Sequence, residues 1–224
     1  MKLAEVEYCV FLRSALLDPG LNGDFDQFAE RLYKANKVMN LTRVAREECW
    51  NRHFYDSLLF GDLIPQDASV LDIGTGPGFP AWPLARARPD LQVTALDSSG
   101  KMLGFLAGSP LPNLRLVQAR AEEFSERESF DVVTGRALAP LAVQLEVSAA
   151  FANLGGLVLP MRSEKDLPEI LRFPAGLLGL KLESVEGRIL EGGDAKRLFP
   201  LYRKAHATPK RFPRKWADIK SMPL

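Results

Sequence analysis

Three alternate glycines close the run Val70-Leu71-Asp72-Ile73-Gly74-Thr75-Gly76-Pro77-Gly78-Phe79-Pro80, which passes from an apolar strand into a helix opened by proline. Glycines there permit positive φ and let backbone come close to a ligand that a Cβ would obstruct. Binding of a cofactor is the chemistry this suggests; a tight βα turn holding nothing is the alternative. A dinucleotide site needs G-x-G-x-x-G, and the position for its last glycine is Phe79. No G-x-x-x-x-G-K-[ST] run exists either, which removes most of the case for a nucleotide triphosphatase. Asp97 ends the next apolar run, 19 residues after Gly78, where an acid can accept both hydroxyls of a ribose. Its alternative role is to cap the helix that follows.

What remains, D-x-G-x-G-x-G, resembles the first motif of S-adenosylmethionine-dependent methyltransferases, whose cofactor has no pyrophosphate and needs close backbone approach more than an anion nest. Ala121 and Glu122 follow the third apolar run, at the expected adenine edge of the same cleft, although Glu122 alone reads as a surface acid. The fourth run ends Val133-Thr134-Gly135-Arg136-Ala137. C5 methylation of a pyrimidine needs a nucleophilic cysteine, and neither Cys9 nor Cys49 ends a strand of this unit. The Asn-Pro-Pro-aromatic type of loop used on exocyclic amines is missing after the fourth run. Arg136 instead offers a planar donor suited to a carboxylate, a phosphate or the O6/N7 edge of guanine. Guanine N7 already carries its lone pair, so its methylation needs alignment rather than a general base. His53 and His206, the only two histidines, read as structural or surface residues.

These residues must be held by a scaffold, and the pattern supplies one. Apolar runs at Val70–Ile73, Gln92–Leu96, Leu114–Val117, Phe130–Thr134 and Gly156–Met161 alternate with helical intervals, the signature of a doubly wound α/β, Rossmann-like sheet. Further strands are expected at Lys181–Val185 and Leu198–Tyr202. Before the sheet, Asp24 and Gln27 suggest a capping-box start to an amphipathic helix through Phe25, Phe28, Ala29, Leu32 and Ala35. A second helix spans about Glu47–Phe60. The expected organisation is a helical cap over 1–66, a catalytic domain over 67–207 and a loop-like basic tail over 208–224.

The 224 residues, 46% apolar and 25% charged, describe a globular protein with room for one sizeable core. Two cysteines without Cys-x-x-Cys or clustered histidines support neither a disulfide framework nor a metal site. Glu5 and Glu7 interrupt Met1–Phe11, so no leader is expected and the setting is the cytoplasm. Pro140, Asn153 and Gly155-Gly156 break the apolar stretch Ala137–Pro160 into a helix and a strand, leaving no membrane span. A formal charge of +1 hides nine Lys and Arg against one acid from Lys196 onward. That tract suggests a polyanion, with a solvated tail as the alternative.

In order and combination, Asn40-Leu41-Thr42, His53, Asp56-Ser57-Leu58, the glycine loop, Leu96-Asp97-Ser98 with Lys101, Arg120-Ala121-Glu122, Arg136-Ala137 and Pro209-Lys210-Arg211-Phe212-Pro213-Arg214 resemble the bacterial 16S rRNA guanine-N7 methyltransferases (RsmG, formerly GidB) over nearly the whole chain. The resemblance implies a class I methyltransferase sheet and a methyl transfer from S-adenosyl-L-methionine to a guanine in the decoding-region loop of 16S rRNA, free or in an assembling small subunit. It implies a cofactor pocket of Gly74, Phe79, Ala121, Glu122 and Arg136, to which the residue reading adds Gly76, Gly78 and Asp97. Arg136 is the expected catalytic residue. Arg162, Arg197, Lys210, Arg211, Arg214 and Lys215 are the expected RNA contacts, with cofactor affinity independent of the tail. A small-molecule methyltransferase and a non-catalytic RNA-binding protein on the same fold are the competing readings.

Overall fold

The computed structural model describes residues 6–13, 18–193 and 196–224, so part of the segment read as lacking a leader (1–5) lies outside the described residues. Among the described residues, eight strands form one sheet in the order β1-β7-β8-β6-β5-β2-β3-β4. These are β1 Tyr8–Phe11, β2 Ser69–Ile73, β3 Gln92–Asp97, β4 Leu114–Gln118, β5 Phe130–Arg136, β6 Ala152–Met161, β7 Leu180–Leu190 and β8 Lys196–Lys204. Strands β2 to β6 pair in parallel, and β8 inserts antiparallel between β6 and β7. All seven expected strands are present. β1, absent from the sequence reading, adds in parallel to the outer edge of β7.

The central strands β2, β3 and β5 are mostly buried and apolar because both faces are covered, whereas the edge strand β4 carries exposed Arg115 and Gln118. One face packs against helix α1 (Asn22–Met39), α2 (Ala81–Ala87) and α3 (Gly100–Leu106), through Phe25, Phe28, Trp82 and Phe105 in one core with Val70 and Val93. The opposite face packs against α4 (Leu141–Ala149) and α5 (Leu167–Arg172), through Leu141, Leu145, Ile170 and Tyr202. The N-terminal helices thus share their core with the sheet. Sequence order reverses between β2 and β5, and a crevice at such a switch point, at the carboxyl ends of the strands, is where ligands bind in open α/β sheets.

Three local expectations change. α1 begins at Asn22 with no side-chain cap, so Asp24 lies inside its first turn and accepts from Arg86 Nε of α2 at 2.7 Å instead of capping. The helix expected over Glu47–Phe60 is broken into a 3-10 turn, a π-helical segment Trp50–Tyr55 and a turn of α-helix Asp56–Leu58. Asp56 N–H reaches back five residues to Asn51 O, and the wide turn buries His53, Phe54, Asp56 and Ser57 together. The tail runs as a loop over 208–215, as expected, but is anchored by buried Thr208 and Phe212, and it ends in a helix the sequence did not mark, α6 (Trp216–Ser221), seated on α4 through Ile219.

Candidate functional site

The glycine loop leaves β2 at the switch point. Gly74 N–H donates to Leu96 O at 2.8 Å, and Asp97 Oδ2 accepts from Gly76 N–H at 2.8 Å, so the end of β3 fixes the loop. Asp97 Oδ1 accepts from Ser99 N–H at 2.8 Å, while the cap of α3 is Ser99, whose hydroxyl accepts from Met102 N–H. The helix-cap alternative for Asp97 thus passes to its neighbour. Beside the loop lies a cleft of about 410 Å³ walled by Gly74, Asp97, Ala121, Glu122, Leu138 and Trp216.

The three glycines do different work. Gly76 has φ +57°, and nothing among the described residues lies within 4 Å of where its Cβ would stand. Gly74 is in the cleft wall, but a Cβ there would meet Leu138 Cδ1 at 2.6 Å. Gly78 has φ +114°, and its Cβ would meet Leu106 at 2.7 Å and Trp82 at 3.3 Å. Its small size therefore serves helix packing, and it is not among the residues that wall the cleft. Phe79 does not wall the cleft either: only 3% exposed, its ring lies in the aromatic core, stacked on the His53 ring at 4.2 Å.

Beneath the loop, Asp72 is fully buried, with Oδ2 accepting from Ala81 N–H at 3.2 Å and Oδ1 finding no partner among the described residues. Burial pushes its carboxyl up to about 7, against the opposing pull of Thr75, Ala81 N–H and Arg136.

A second cleft, of about 370 Å³, is walled by Arg52, His53, Asp56, Arg136, Arg162 and Arg197. It meets the first at the end of β5, where Ala137 lines one and Leu138 the other. Ala137 has φ +53°, a strained conformation for a residue with a Cβ. Arg136 lines this second cleft and not the first. Its guanidinium lies 5.3 Å over the Phe79 ring and donates to Arg52 O at 2.8 Å, His53 Nδ1 at 3.1 Å and Asp56 Oδ2 at 3.4 Å. A guanidinium only donates, so His53 Nδ1 is the acceptor and Nε2 carries the proton, directed at Thr42 Oγ1 2.8 Å away. Burial, then Arg136 and Arg52, hold the imidazole down to about 3, and it stays neutral. Thr42 is placed by Asn36, whose Oδ1 accepts from Leu41 and Thr42 N–H just past the left-handed Asn40.

Asp56 joins the arginines. Its carboxylate, 3% exposed, pairs with Arg136 and, at 2.8 Å, with Arg197 Nε. His53 and Asp56, whose roles the sequence left open, orient guanidinium groups. Their spacing, one turn apart and followed by serine, was the available signal.

The expected RNA contacts divide. Arg197 lines the second cleft, a quarter exposed. Arg162 reaches that wall too, but its side chain is 7% exposed and donates to Ala139 O and Gln144 Oε1, which withdraws it from a surface role. Lys210, Arg211 and Lys215 are exposed. Arg214 is not free: its Nε and Nη2 donate to the wholly buried Glu146 of α4 at 2.8 and 2.6 Å. Among the described residues, no group of His, Cys, Asp and Glu is placed to hold a metal ion, and no helix is long and apolar enough to cross a membrane.

The sheet order, the glycine loop after β2 and the acid ending β3 define a class I methyltransferase domain. Solved structures share this fold. They include TYW2 of M. jannaschii in complex with AdoMet (TM-score 0.53, 18% identity, covering 64% of this chain and 72% of that one) and a TehB-like SAM-dependent methyltransferase from Corynebacterium glutamicum (0.52, 16%, 82% and 99%).

In sequence, residues 21–193 match the family model described as rRNA small subunit methyltransferase G (GidB). Curated relatives named ribosomal RNA small subunit methyltransferase G include those of Staphylococcus carnosus, 36% identical over 214 residues and 89% of each chain, and of Lactococcus lactis subsp. lactis, 35% identical over 206 residues, 85% of this chain and 86% of that one. The chain belongs to this family. It is a methyltransferase, and S-adenosylmethionine is its methyl donor.

Proposed function

We propose that this protein transfers the methyl group of S-adenosylmethionine to N7 of a guanine in the decoding-region loop of 16S rRNA. The observation that carries this reading is the meeting of the two clefts at Ala137: one is walled by the glycine loop and Asp97, the other by arginines with no base to spare. Both ring nitrogens of His53 are engaged, Asp56 is ion-paired, and Asp166 holds the capping box with Ser163. An acceptor that must lose a proton finds no partner there; guanine N7 needs none.

The cofactor cleft suits its ligand by its own features, the open space at Gly76 and the acid at the strand end. Gly74, Gly76, Asp97, Ala121 and Glu122 would hold the cofactor, which supplies an electrophilic methyl group. Arg136, fixed by four neighbours, presents donors to the O6 side of the base and orients its N7 lone pair. Arg197, with Lys210, Arg211 and Lys215 of the tail, contacts RNA phosphates, which position without reading sequence.

Paired substrates test the acceptor. 16S rRNA transcribed with guanosine or with 7-deazaguanosine, each free and assembled into small subunits, is incubated with the protein and methyl-labelled S-adenosylmethionine. Label enters only guanosine RNA and is recovered as 7-methylguanosine. Equal labelling of the 7-deaza RNA contradicts the proposal.

A further inference from the structure

The cofactor cleft has a wall that the strand ends do not provide. Trp216, the first residue of α6, lines it together with Ala121, Glu122, Leu138 and Val147. Trp216 also packs into a small apolar cluster with Val143, Val147 and Ile219, against Ala121 and Leu138. The segment just before it is held by a bond that is costly to break. Glu146 is wholly buried, and Arg214 gives it three donors, backbone N–H at 3.0 Å, Nε at 2.8 Å and Nη2 at 2.6 Å. Phe212, buried in the core, and Arg127, which donates to Phe212 O at 2.8 Å, secure the chain upstream. The tail therefore arrives at the cleft on fixed points.

We propose that the C-terminal segment is a working part of the cofactor site, with the Trp216 indole forming the wall at its adenine end. The inference rests on S-adenosylmethionine as the donor. Ala121 and Glu122 follow β4, one strand beyond the ribose-side Asp97, which puts the cofactor's flat, apolar base at the Trp216 side of the cleft. An indole supplies an apolar face there while Glu122 offers acceptors at the edge. Asp97 and the loop hold the ribose and the methionine part, so the tail selects for the base. On this proposal the tail affects cofactor affinity as well as RNA: the same segment lines the cleft with Trp216 and exposes Lys215 beside it.

The full-length protein carries its own probe. Of three tryptophans, Trp82 is 4% exposed with Nε1 donating to Ser109 O, and Trp50 bonds Asp26 on the far helices; neither lines this cleft. Titration with S-adenosylhomocysteine changes the tryptophan emission of the wild type, and Trp216→Phe abolishes the change while calorimetry still detects binding. Trp216→Ala weakens binding of S-adenosylhomocysteine about tenfold, within the range for loss of an aromatic partner to a base. Adenosine loses the same factor, which a general loosening of the site would not produce. Circular dichroism confirms the fold of each variant, and Trp216→Phe keeps the test open if the alanine variant unfolds. Affinity of Trp216→Ala within twofold of wild type, or an emission change that survives Trp216→Phe, overturns the proposal. A wild type that binds no S-adenosylhomocysteine would instead overturn the donor assignment, and this inference with it.

Discussion

Removing the Asp56 carboxylate tests whether the arginine cleft is held together as described. Arg197 donates Nη2 to Oδ2 at 3.2 Å and brings Nε within 2.8 Å of Oδ1 as an ion-pair contact, whereas Arg136 reaches Oδ2 only at 3.4 Å. Arg136 keeps Arg52 O and His53 Nδ1 when Asp56 is gone, but among the described residues Arg197 keeps only Lys196 O. Breaking a buried pair from one side costs about 3–5 kcal/mol. Here the arginine side chains are 16% and 26% exposed and recover some hydration, so about 2–3 kcal/mol is expected for Asp56→Ala, and about 1–2 kcal/mol for Asp56→Asn, which keeps one acceptor.

Urea unfolding measures the loss, with the midpoint falling at constant slope. Single-turnover methyl transfer should slow by about 10- to 100-fold in Asp56→Asn, as expected for a displaced rather than deleted orienting group. A cycle with Arg197→Ala should give a coupling of about 1–3 kcal/mol. Stability within 0.5 kcal/mol of wild type together with turnover within about twofold would refute the idea that Asp56 sets these guanidinium groups.

Buried titrations make a prediction with opposite signs. The unfolded chain protonates His53 near pH 6.5 but the folded one only near 3, so this group costs stability as pH falls below 6.5, about 1.4 kcal/mol per unit. Asp72 holds its proton to about 7 when folded and to about 3.8 when unfolded, so its contribution is lost as pH rises through that window. Between pH 4 and 6.5, His53→Gln should therefore flatten the rise of stability with pH and Asp72→Asn should steepen it, as followed by urea midpoints; shifts of the same sign contradict both assignments. Gly78→Ala should lower stability by about 1–3 kcal/mol through its clash and positive φ, while Gly76→Val should chiefly abolish binding of S-adenosylhomocysteine in calorimetry. Arg214→Ala, leaving Glu146 buried and unpaired, should destabilise by about 3–5 kcal/mol in thermal or urea unfolding. Neutralising Lys210, Arg211 and Lys215 should instead leave stability unchanged and flatten the salt dependence of RNA binding by about 0.7 per lost contact.

Much of the architecture was legible because central parallel strands buried on both faces read as mostly apolar runs, and punctuation by glycine and proline located these, the shorter run of β4 and the loop. β1 was not legible: it has four residues, with Cys9 and Val10 exposed at the sheet edge, and neither a run nor an alternation marks it. The π-helical turn at Trp50–Tyr55 defeated a period of 3.6, so the sequence could pair His53 with Asp56 but not show that both are buried against Arg136. Residue type placed Gly74, Asp97, Ala121 and Glu122 at one cleft, whereas it could not tell which glycine faces a ligand and which a helix. Charge alone marked the tail as basic. Only tertiary packing reveals that Arg214 satisfies Glu146 and that Trp216 lines the same cleft as Gly74 and Asp97.

The central claim is methylation of one guanine at N7, and its most direct measurement is made on RNA from the source cell with and without this protein. Borohydride and aniline treatment cleaves RNA at 7-methylguanosine, and mapping the cleavages across 16S rRNA reads the modification nucleotide by nucleotide. One cleavage in the decoding-region loop should disappear when the protein is deleted, return with the wild-type chain, and stay absent with Arg136→Ala. An unchanged cleavage pattern in the deletion, or full restoration by Arg136→Ala, contradicts the account.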